Sequence, residues 1–298
     1  MDLTADLPAC CAVSTGQAAL DRLLALTEPQ ARTLLGRCAA ALSLYPAWER
    51  RDWVMPEPRW ALRVHGGHFL DLGRLALRLG RVRHRPGRNG YLHVSSGLAF
   101  AAHQDAHGQV TLVLGGLNSS DSDSQLGSML AETQQLGAGL LNAVGGVPRL
   151  YRWADRLTLM LQGELSREGR KAPLTLTGHS LGGGLAQYAG LMNGLSVLAF
   201  SPTALGHGVL NLLDSTRRLA DPAAVIQMVR SYSLDGDPIP SLGTGWLRAA
   251  VVGEHLRLPR SPGVAPVRYA TNHGQIYAHL SAHLRVRWPD LPNATPGF

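Results

Sequence analysis

A serine between two glycines, in the stretch Gly178-His179-Ser180-Leu181-Gly182, combines residue types that can carry out nucleophilic chemistry. The G-x-S-x-G spacing is typical of a serine on a sharp turn between a strand and a helix. Such a turn folds the residues two before and two after the serine against each other, so both positions must lack bulk. A helix that begins directly after the serine also favours negative charge at its N-terminus. The stretch therefore predicts a Ser180 hydroxyl that is lifted clear of the backbone as a nucleophile.

The residues on either side of this stretch predict the strand and the helix that the turn requires. Residues 174–177 alternate branched and apolar side chains, as a short buried strand does. Residues 181–191 are small or apolar, with Gly183 and Gly184 near the start, and predict a helix that packs close to a sheet. The alternative is a glycine-rich helix start with an ordinary N-terminal serine. The flanking strand and helix favour the nucleophile.

The segment T-G-H-S-L-G-G-G-L-A around Ser180 resembles the corresponding turn of the class 3 lipases, a branch of the α/β-hydrolase fold. This resemblance implies a serine esterase with a Ser-Asp-His triad, which usually acts on triacylglycerol, phospholipid or galactolipid esters and requires no metal and no organic cofactor. The resemblance extends over about residues 98–285. We interpret the chain as a lipase-like protein of a bacterium.

Two aspartates follow a predicted strand over residues 225–232 and compete for the acid of the triad. Asp237 lies in the segment S-L-D-G-D-P-I-P, which resembles the family's N-D-x-V-P segment with Asp237 on the acid. Pro238 restricts Asp237 to an extended conformation, which helps to hold its carboxylate in place. Asp235 is the alternative, but as a turn residue before Gly236 it has a structural explanation. We therefore predict Asp237 as the acid.

Four histidines follow Asp237 and are candidates for the general base: His255, His273, His279 and His283. His255 lies in a predicted strand. The segment N-H-G-Q-I-Y-A-H-L resembles the family's closing segment, in which the catalytic histidine precedes a helix, and this favours His273 with His279 as the alternative. His279 and His283 share a helical face, but no acidic third ligand for a metal is apparent. We interpret His179, next to the nucleophile, as a packing residue.

The oxyanion that forms during acyl transfer needs two backbone donors near Ser180. Residues 98–117 predict two strands joined by a polar turn. Their second strand ends in L-G-G-L, which resembles the family's residue-glycine-threonine/serine segment, with Gly116 on the glycine and Leu117 on the hydroxyl position. The resemblance implies that the N–H groups of Leu117 and Leu181 form the oxyanion hole. It also suggests a lid over residues 118–140, for which a plain surface loop and core helix are the alternative.

Alternating strands and helices around Ser180 predict a mostly parallel central sheet flanked by helices, and the resemblance implies that this is an α/β-hydrolase fold. A further strand is predicted at 195–200, and a long amphipathic helix at 149–168. Residues 1–16 are expected to form a loose tail, and a helix is expected to start near Pro29. We divide the chain into an N-terminal helical extension with a Trp- and Pro-rich arm (1–60) and a hydrolase domain (61–298).

The chain has a formal net charge of +7, and Lys171 is its only lysine. Four arginines in the stretch 70–90 would share one face of a helix, although the same stretch also alternates as a strand would: Arg74, Arg78, Arg81 and Arg85. In a lipase-like chain such a patch suggests an anionic membrane surface as a partner. The alternative is a solvated charged face. No zinc-finger or RNP-type motif indicates a nucleic acid.

The sequence also bears on secretion and on membrane spans. No apolar run reaches the ~18 residues that a membrane-spanning helix needs. The N-terminus lacks the basic and apolar regions of a secretory signal, so we expect a cytoplasmic protein or one exported by a non-Sec route. The chain has 3 cysteines, too few for a disulfide framework.

The leading hypothesis is a hydrolase of lipid esters, with a phospholipase as one form of it. A soluble carboxylesterase or thioesterase of the same chemistry is one alternative. The other is a catalytically weak membrane- or lipid-binding protein on the same scaffold, a hypothesis that Leu117 keeps open because the family has a hydroxyl residue there.

Overall fold

Strands and helices alternate along most of the chain. The computed structural model describes residues 8–45, 66–84, 90–116, 137–138, 141–142, 146–170, 174–242, 244, 248–262, 264 and 272–292. The strands are β1 (Cys11–Thr15), β2 (His68–Phe69), β3 (Val82–His84), β4 (Tyr91–His93), β5 (Leu98–Gln104), β6 (Val110–Leu114), β7 (Thr175–His179), β8 (Val197–Phe200), β9 (Val229–Leu234) and β10 (Gly253–Leu258). The helices are α1 (Gly16–Leu24), α2 (Glu28–Leu42), α3 (Gly73–Leu79), α4 (Arg149–Arg167), α5 (Leu181–Asn193), α6 (His207–Ser215), α7 (Pro222–Met228) and α8 (Ile276–Arg287). Short 3-10 turns lie at Ile239–Ser241 and Asn272–Gln275.

The strands of the described residues form one sheet in the order β1-β10-β9-β8-β7-β6-β5-β4-β3, with β2 paired to β5. The pairs from β1 across to β6 are parallel, and the remaining pairs are antiparallel. Because β7 lies within the parallel part, the residue that follows it stands at the carboxyl edge of the sheet, where ligands bind in folds of this kind. The predicted α/β-hydrolase fold, a mostly parallel sheet flanked by helices, is confirmed.

Helices pack on both faces of the sheet around separate hydrophobic clusters. On one face, Leu157 of α4 and Leu185 of α5 belong to the same buried cluster as Leu112 of β6. On the other face, Leu35 of α2 and Leu280 of α8 join the buried strand residues of β9 and β10. Because helices cover both faces, every residue of β6 and β7 is buried, including the polar Thr175, Thr177 and His179 of β7. Among the described helices, none is both long and apolar enough to cross a membrane.

The N-terminal residues contribute a strand to the sheet. The expectation of a loose tail over residues 1–16 is wrong for β1, which pairs in parallel with β10, Cys11 opposite Gly253. This pairing satisfies backbone groups that an extended tail would leave to water. The predicted start of a helix near Pro29 is confirmed, because the Gln30 side chain accepts a hydrogen bond from the Thr27 N–H at 2.9 Å and closes a capping box. The division of the chain at residue 60 falls outside the described residues and stays a prediction.

The predicted strand over residues 225–232 is wrong in its first half. Residues up to Met228 form α7, and β9 begins only at Val229. Asp221 caps α7 by accepting a hydrogen bond from the Ala224 N–H at 3.1 Å. Pro222 follows in the first turn, where its missing N–H has no intrahelical role. Local capping therefore overrides the apolar run that suggested a strand.

The arginine stretch contains both of the elements that its pattern allowed. Arg74 and Arg78 lie on α3, whereas Arg81 lies in the turn between α3 and β3. The prediction that all four arginines share one helical face is therefore wrong, since α3 ends before Arg81. Arg85 falls outside the described residues. Arg78 forms an ion pair with Glu164 of α4, so this cation serves packing between two helices.

Candidate active site

The predicted nucleophile lies on a sharp turn between β7 and α5. Its backbone angles are φ 59° and ψ −129°, a conformation that costs a residue with a side chain of the order of 1–3 kcal/mol. The Ser180 carbonyl oxygen accepts hydrogen bonds from the N–H groups of Gly183 and Thr203, at 2.9 and 3.0 Å. These bonds hold the strained turn against both the following helix and the end of β8.

The glycines of the motif are required by close backbone contacts. A Cβ atom on Gly178 would lie 2.2 Å from the Gly182 carbonyl oxygen, and a Cβ on Gly182 would lie 2.1 Å from the Leu114 carbonyl oxygen. Both distances are far below any real contact, and the opposing atoms are backbone atoms that cannot rotate away. The predicted reason, contact between the residues two before and two after Ser180, is confirmed for Gly178, whereas Gly182 is constrained by the neighbouring strand β6.

Gly182→Ala is expected to lower the free energy of unfolding by about 3 kcal/mol, because the added methyl group displaces β6 from α5. Gly163→Ala is the matched control: Gly163 lies inside α4 with nothing within 4 Å of its added Cβ. Because alanine loses less backbone entropy on folding than glycine, that variant should be more stable by about 0.5–1 kcal/mol. Urea unfolding followed by circular dichroism measures both. Equal stabilities of the two variants would show that the turn tolerates bulk at 182.

Asp237 lies just after β9 with its side chain fully buried. Its Oδ1 accepts a hydrogen bond from the Ile239 N–H at 3.0 Å, and its Oδ2 lies 3.1 Å from Nδ1 of His273. Burial acts to raise the pKa of Asp237, but the hydrogen bond and charge of His273, together with hydrogen bonds from Ser201 and the Ile239 N–H, hold the pKa below its usual value. The carboxylate is therefore ionised and orients the imidazole. Asp235, the alternative acid, is 43% exposed and lies 3.7 Å from Arg257 instead.

His273 lies in the 3-10 turn that precedes α8, on the loop side of the helix. Since Nδ1 faces the Asp237 carboxylate, Nε2 is the nitrogen that remains to accept a proton. The imidazole also packs on the ring of His179, the residue before Ser180, with ring centroids 4.4 Å apart. The structure thus brings Asp237 and His273 together beside the turn that carries Ser180.

The other candidate bases make hydrogen bonds elsewhere. His279 Nδ1 accepts from the Ser261 N–H at 2.8 Å, and burial lowers the pKa of His279 to about 4. His255 lies in β10 as predicted, with its Nε2 2.7 Å from the Ser233 hydroxyl. His283 Nε2 donates to the Pro259 carbonyl oxygen at 2.8 Å. Among the described residues, no group of three or more metal-ligating side chains could hold an ion.

The predicted oxyanion donors are only partly within the described residues. Gly116 packs against Ser180, because a Cβ atom on Gly116 would lie 3.2 Å from the Ser180 Cβ. Leu181 is the first residue of α5, where a backbone N–H has no partner within the helix. Leu117 and most of the predicted lid over 118–140 fall outside the described residues. The oxyanion hole stays a prediction.

Two residues to which the sequence analysis gave no part in the reaction, Tyr45 and His179, make hydrogen bonds that connect to the His273 turn. The Tyr45 hydroxyl, just after α2, lies 3.1 Å from both the carbonyl oxygen and Nδ1 of His179. His179 Nε2 donates to the backbone carbonyl oxygen of His273 at 2.9 Å. Burial, followed by the charge of His273, lowers the pKa of His179, so this ring is neutral and links Tyr45 to the His273 turn. The adjacency of His179 to Ser180 was the available signal, but it was interpreted as packing.

No protein-family model and no curated protein matches the chain. Among solved structures, the chain is similar to a lipase from Rhizopus microsporus var. chinensis, with 15% identity over 81% of this chain and 76% of that one and a TM-score of 0.43. It is also similar to the Rhizomucor miehei lipase propeptide complex (11% identity, 87% of this chain, 80% of that one, TM-score 0.43) and to the Yarrowia lipolytica LIP2 lipase (14%, 76%, 80% and 0.41). Identities this low do not establish a shared activity. Membership of the class 3 lipases and a bacterial source stay predictions.

Proposed function

We propose that the protein is a serine hydrolase that cleaves carboxylic esters of lipids through Ser180, Asp237 and His273. The observation that carries the proposal is the buried Asp237–His273 pair, 3.1 Å apart, next to a serine on a strained strand-to-helix turn. Strain at a serine, together with an ionised acid that orients an imidazole, is the arrangement that nucleophilic catalysis requires.

In the proposed reaction, His273 Nε2 accepts the Ser180 proton while the hydroxyl oxygen attacks the ester carbonyl carbon. Asp237 keeps the Nδ1–H tautomer and stabilises the imidazolium. The N–H groups of Leu117 and Leu181 bind the oxyanion. His273 then protonates the departing alcohol, the acyl group stays on Ser180, and a water molecule activated by His273 releases the acid.

A fluorophosphonate probe tests the proposal. We expect covalent labelling of the wild-type protein at Ser180 and complete loss of label in Ser180→Ala, because the probe reacts only with an activated serine. Ser215→Ala, which removes an exposed serine of α6 far along the chain from the turn, should label as the wild type does. Peptide mapping by mass spectrometry locates the adduct. An unlabelled wild-type protein would favour the lipid-binding alternative over the enzyme.

The class of ester is tested separately with nitrophenyl esters of increasing chain length, with and without detergent micelles. A lipid ester hydrolase should prefer long chains and respond to the micelle surface. A preference for short, dissolved esters would instead indicate a soluble carboxylesterase or thioesterase.

A further inference from the structure

A cavity of about 490 Å³ lies between the β4–β5 turn and the N-terminus of α4. We call it the headgroup cavity. The residues that matter for its chemistry are Arg81, Ser95, Ser96, Leu141, Arg149 and Trp153. Its wall therefore combines two cations and two hydroxyl groups with an indole and an alkyl side chain.

The cations of the headgroup cavity have no carboxylate partner among the residues that the structure describes. Neither Arg81 nor Arg149 pairs with a carboxylate in the described part of the chain, and neither does Arg156, whose guanidinium lies 5.2 Å from the centre of the Trp153 ring. Arginine is the residue that best matches the geometry of phosphate oxygens. Unpaired guanidinium groups around one cavity thus favour an anionic occupant.

A larger cavity, of about 670 Å³, provides the contrast. It lies at the opposite edge of the sheet, and its arginines have partners. Arg32 pairs with Glu28 at 2.7 Å, Arg230 pairs with Glu254, and Arg37 donates to the Gln109 side chain at 2.9 Å. Of the two cavities, only the headgroup cavity is therefore lined by arginines without a side-chain partner among the described residues.

Buried His93 positions the two serine hydroxyl groups of the headgroup cavity. His93 Nδ1 lies 2.6 Å from the Ser96 hydroxyl, and Nε2 lies 3.2 Å from the Ser95 hydroxyl. Burial, and then the charges of Arg156 and Arg81, lower the pKa of His93, so its ring is neutral. A neutral imidazole donates through one nitrogen and accepts through the other. One serine therefore accepts from His93 and keeps its own O–H to donate to a ligand.

The headgroup cavity lies at the same edge of the sheet as Ser180. The Gly115 N–H, at the end of β6, donates to the Ala99 carbonyl oxygen at 2.8 Å, so the Ser95–Ser96 turn that precedes β5 is beside the glycines next to the nucleophile. Two strand spacings, about 10 Å, separate β5 from β7. An ester at Ser180 and a headgroup at the cavity would therefore lie along the same edge of the sheet.

We propose that the headgroup cavity binds the phosphate of an anionic glycerophospholipid whose ester is presented to Ser180. This inference rests on the proposed function and names its substrate class. Arg81 and Arg149 contact the phosphate oxygens, a serine hydroxyl donates to them, and Trp153 and Leu141 pack against the glycerol and the start of the acyl chain. The cavity binds the substrate and takes no part in the bond changes.

The kinetic test compares two double variants with the same change in net charge. Arg81→Gln/Arg149→Gln removes the cavity cations, and Arg74→Gln/Arg152→Gln removes exposed arginines of α3 and α4 that do not line the cavity. For dihexanoylphosphatidylglycerol we expect KM to rise at least about tenfold in the cavity variant and less than about twofold in the control, since charge-assisted hydrogen bonds to phosphate are strong. Turnover of nitrophenyl butyrate, which has no phosphate, should stay within about twofold in both. An equal rise in both variants would overturn the inference in favour of a net-charge effect.

A binding test does not depend on turnover. In a Ser180→Ala background, calorimetric titration with dihexanoylphosphatidylglycerol should show binding that is lost with Arg81→Gln/Arg149→Gln and kept with Arg74→Gln/Arg152→Gln. Circular dichroism checks that each variant is folded. Unchanged lipid binding in the cavity variant would overturn the inference while the labelling of Ser180 still decides the proposed function. Inorganic phosphate that binds as tightly as the lipid would also overturn it, because the cavity would then recognise free phosphate.

Discussion

Asp237→Asn is expected to lower kcat for ester hydrolysis by about 10³- to 10⁴-fold with little change in KM. Asp237 Oδ1 is held by the Ile239 N–H at 3.0 Å, so in the asparagine the amide oxygen stays there and the NH₂ group faces His273. An NH₂ group only donates, which forces Nδ1 to accept and moves the imidazole proton to Nε2. His273 in this tautomer cannot take the proton of Ser180.

Asp235→Asn is the matched control, since it makes the same change two residues earlier. That carboxylate is 43% exposed and 3.7 Å from Arg257, so kcat should stay within about twofold of the wild-type value. Steady-state kinetics with a nitrophenyl ester measure both variants. If Asp237→Asn keeps more than about a tenth of the wild-type kcat, Asp237 is not the acid of a triad.

The parts of the fold that were predictable are those whose cause lies within a few residues. The helix start near Pro29 and the β5–β6 turn are of this kind. The first is closed by a capping box between Thr27 and Gln30, and in the second Asp105 Oδ1 accepts from the His107 N–H at 2.9 Å. The strand β1 was not predictable in the same way. β1 forms because it pairs with the edge of β10, more than 200 residues along the chain, and no periodicity within C-A-V-S-T indicates that partner.

The residues of the candidate site also differ in whether their causes are local or distant in the chain. The glycines around Ser180 follow from the geometry of one turn, so their residue types could be read directly. The candidate acid and the candidate base were chosen by resemblance, because no local rule joins Asp237 to a histidine 36 residues later. Tyr45 is 134 residues from His179, and its hydrogen bonds to that residue arise only when α2 packs against β7. A buried polar chain of this kind has no signature in a single sequence.

Acid is expected to remove most of the stability of the protein between pH 6.5 and pH 4. His179, His255 and His279 are almost fully buried, and burial lowers their pKa values from 6.5 to about 3, about 4 and about 4. Between pH 6.5 and pH 4 the unfolded chain therefore binds more protons than the folded protein, so the free energy of unfolding falls as the pH falls. Each histidine contributes up to about 1.4 kcal/mol per pH unit. Three together contribute up to about 4 kcal/mol per pH unit, or roughly 8 kcal/mol from pH 6.5 to pH 4, against a typical total of about 5–15 kcal/mol.

Urea unfolding at pH values from 7.5 to 4.5 measures this slope. His255→Gln should reduce it by about one proton, or about 1.4 kcal/mol per pH unit, because glutamine keeps a donor toward Ser233 but does not titrate. His107→Gln is the control, since His107 is exposed in the β5–β6 turn, and it should leave the slope unchanged. A free energy of unfolding that stays constant from pH 6.5 to pH 5 would mean that the buried imidazoles are protonated in the folded state. The description of His179 as a neutral ring that links Tyr45 to the His273 turn would then be wrong as well.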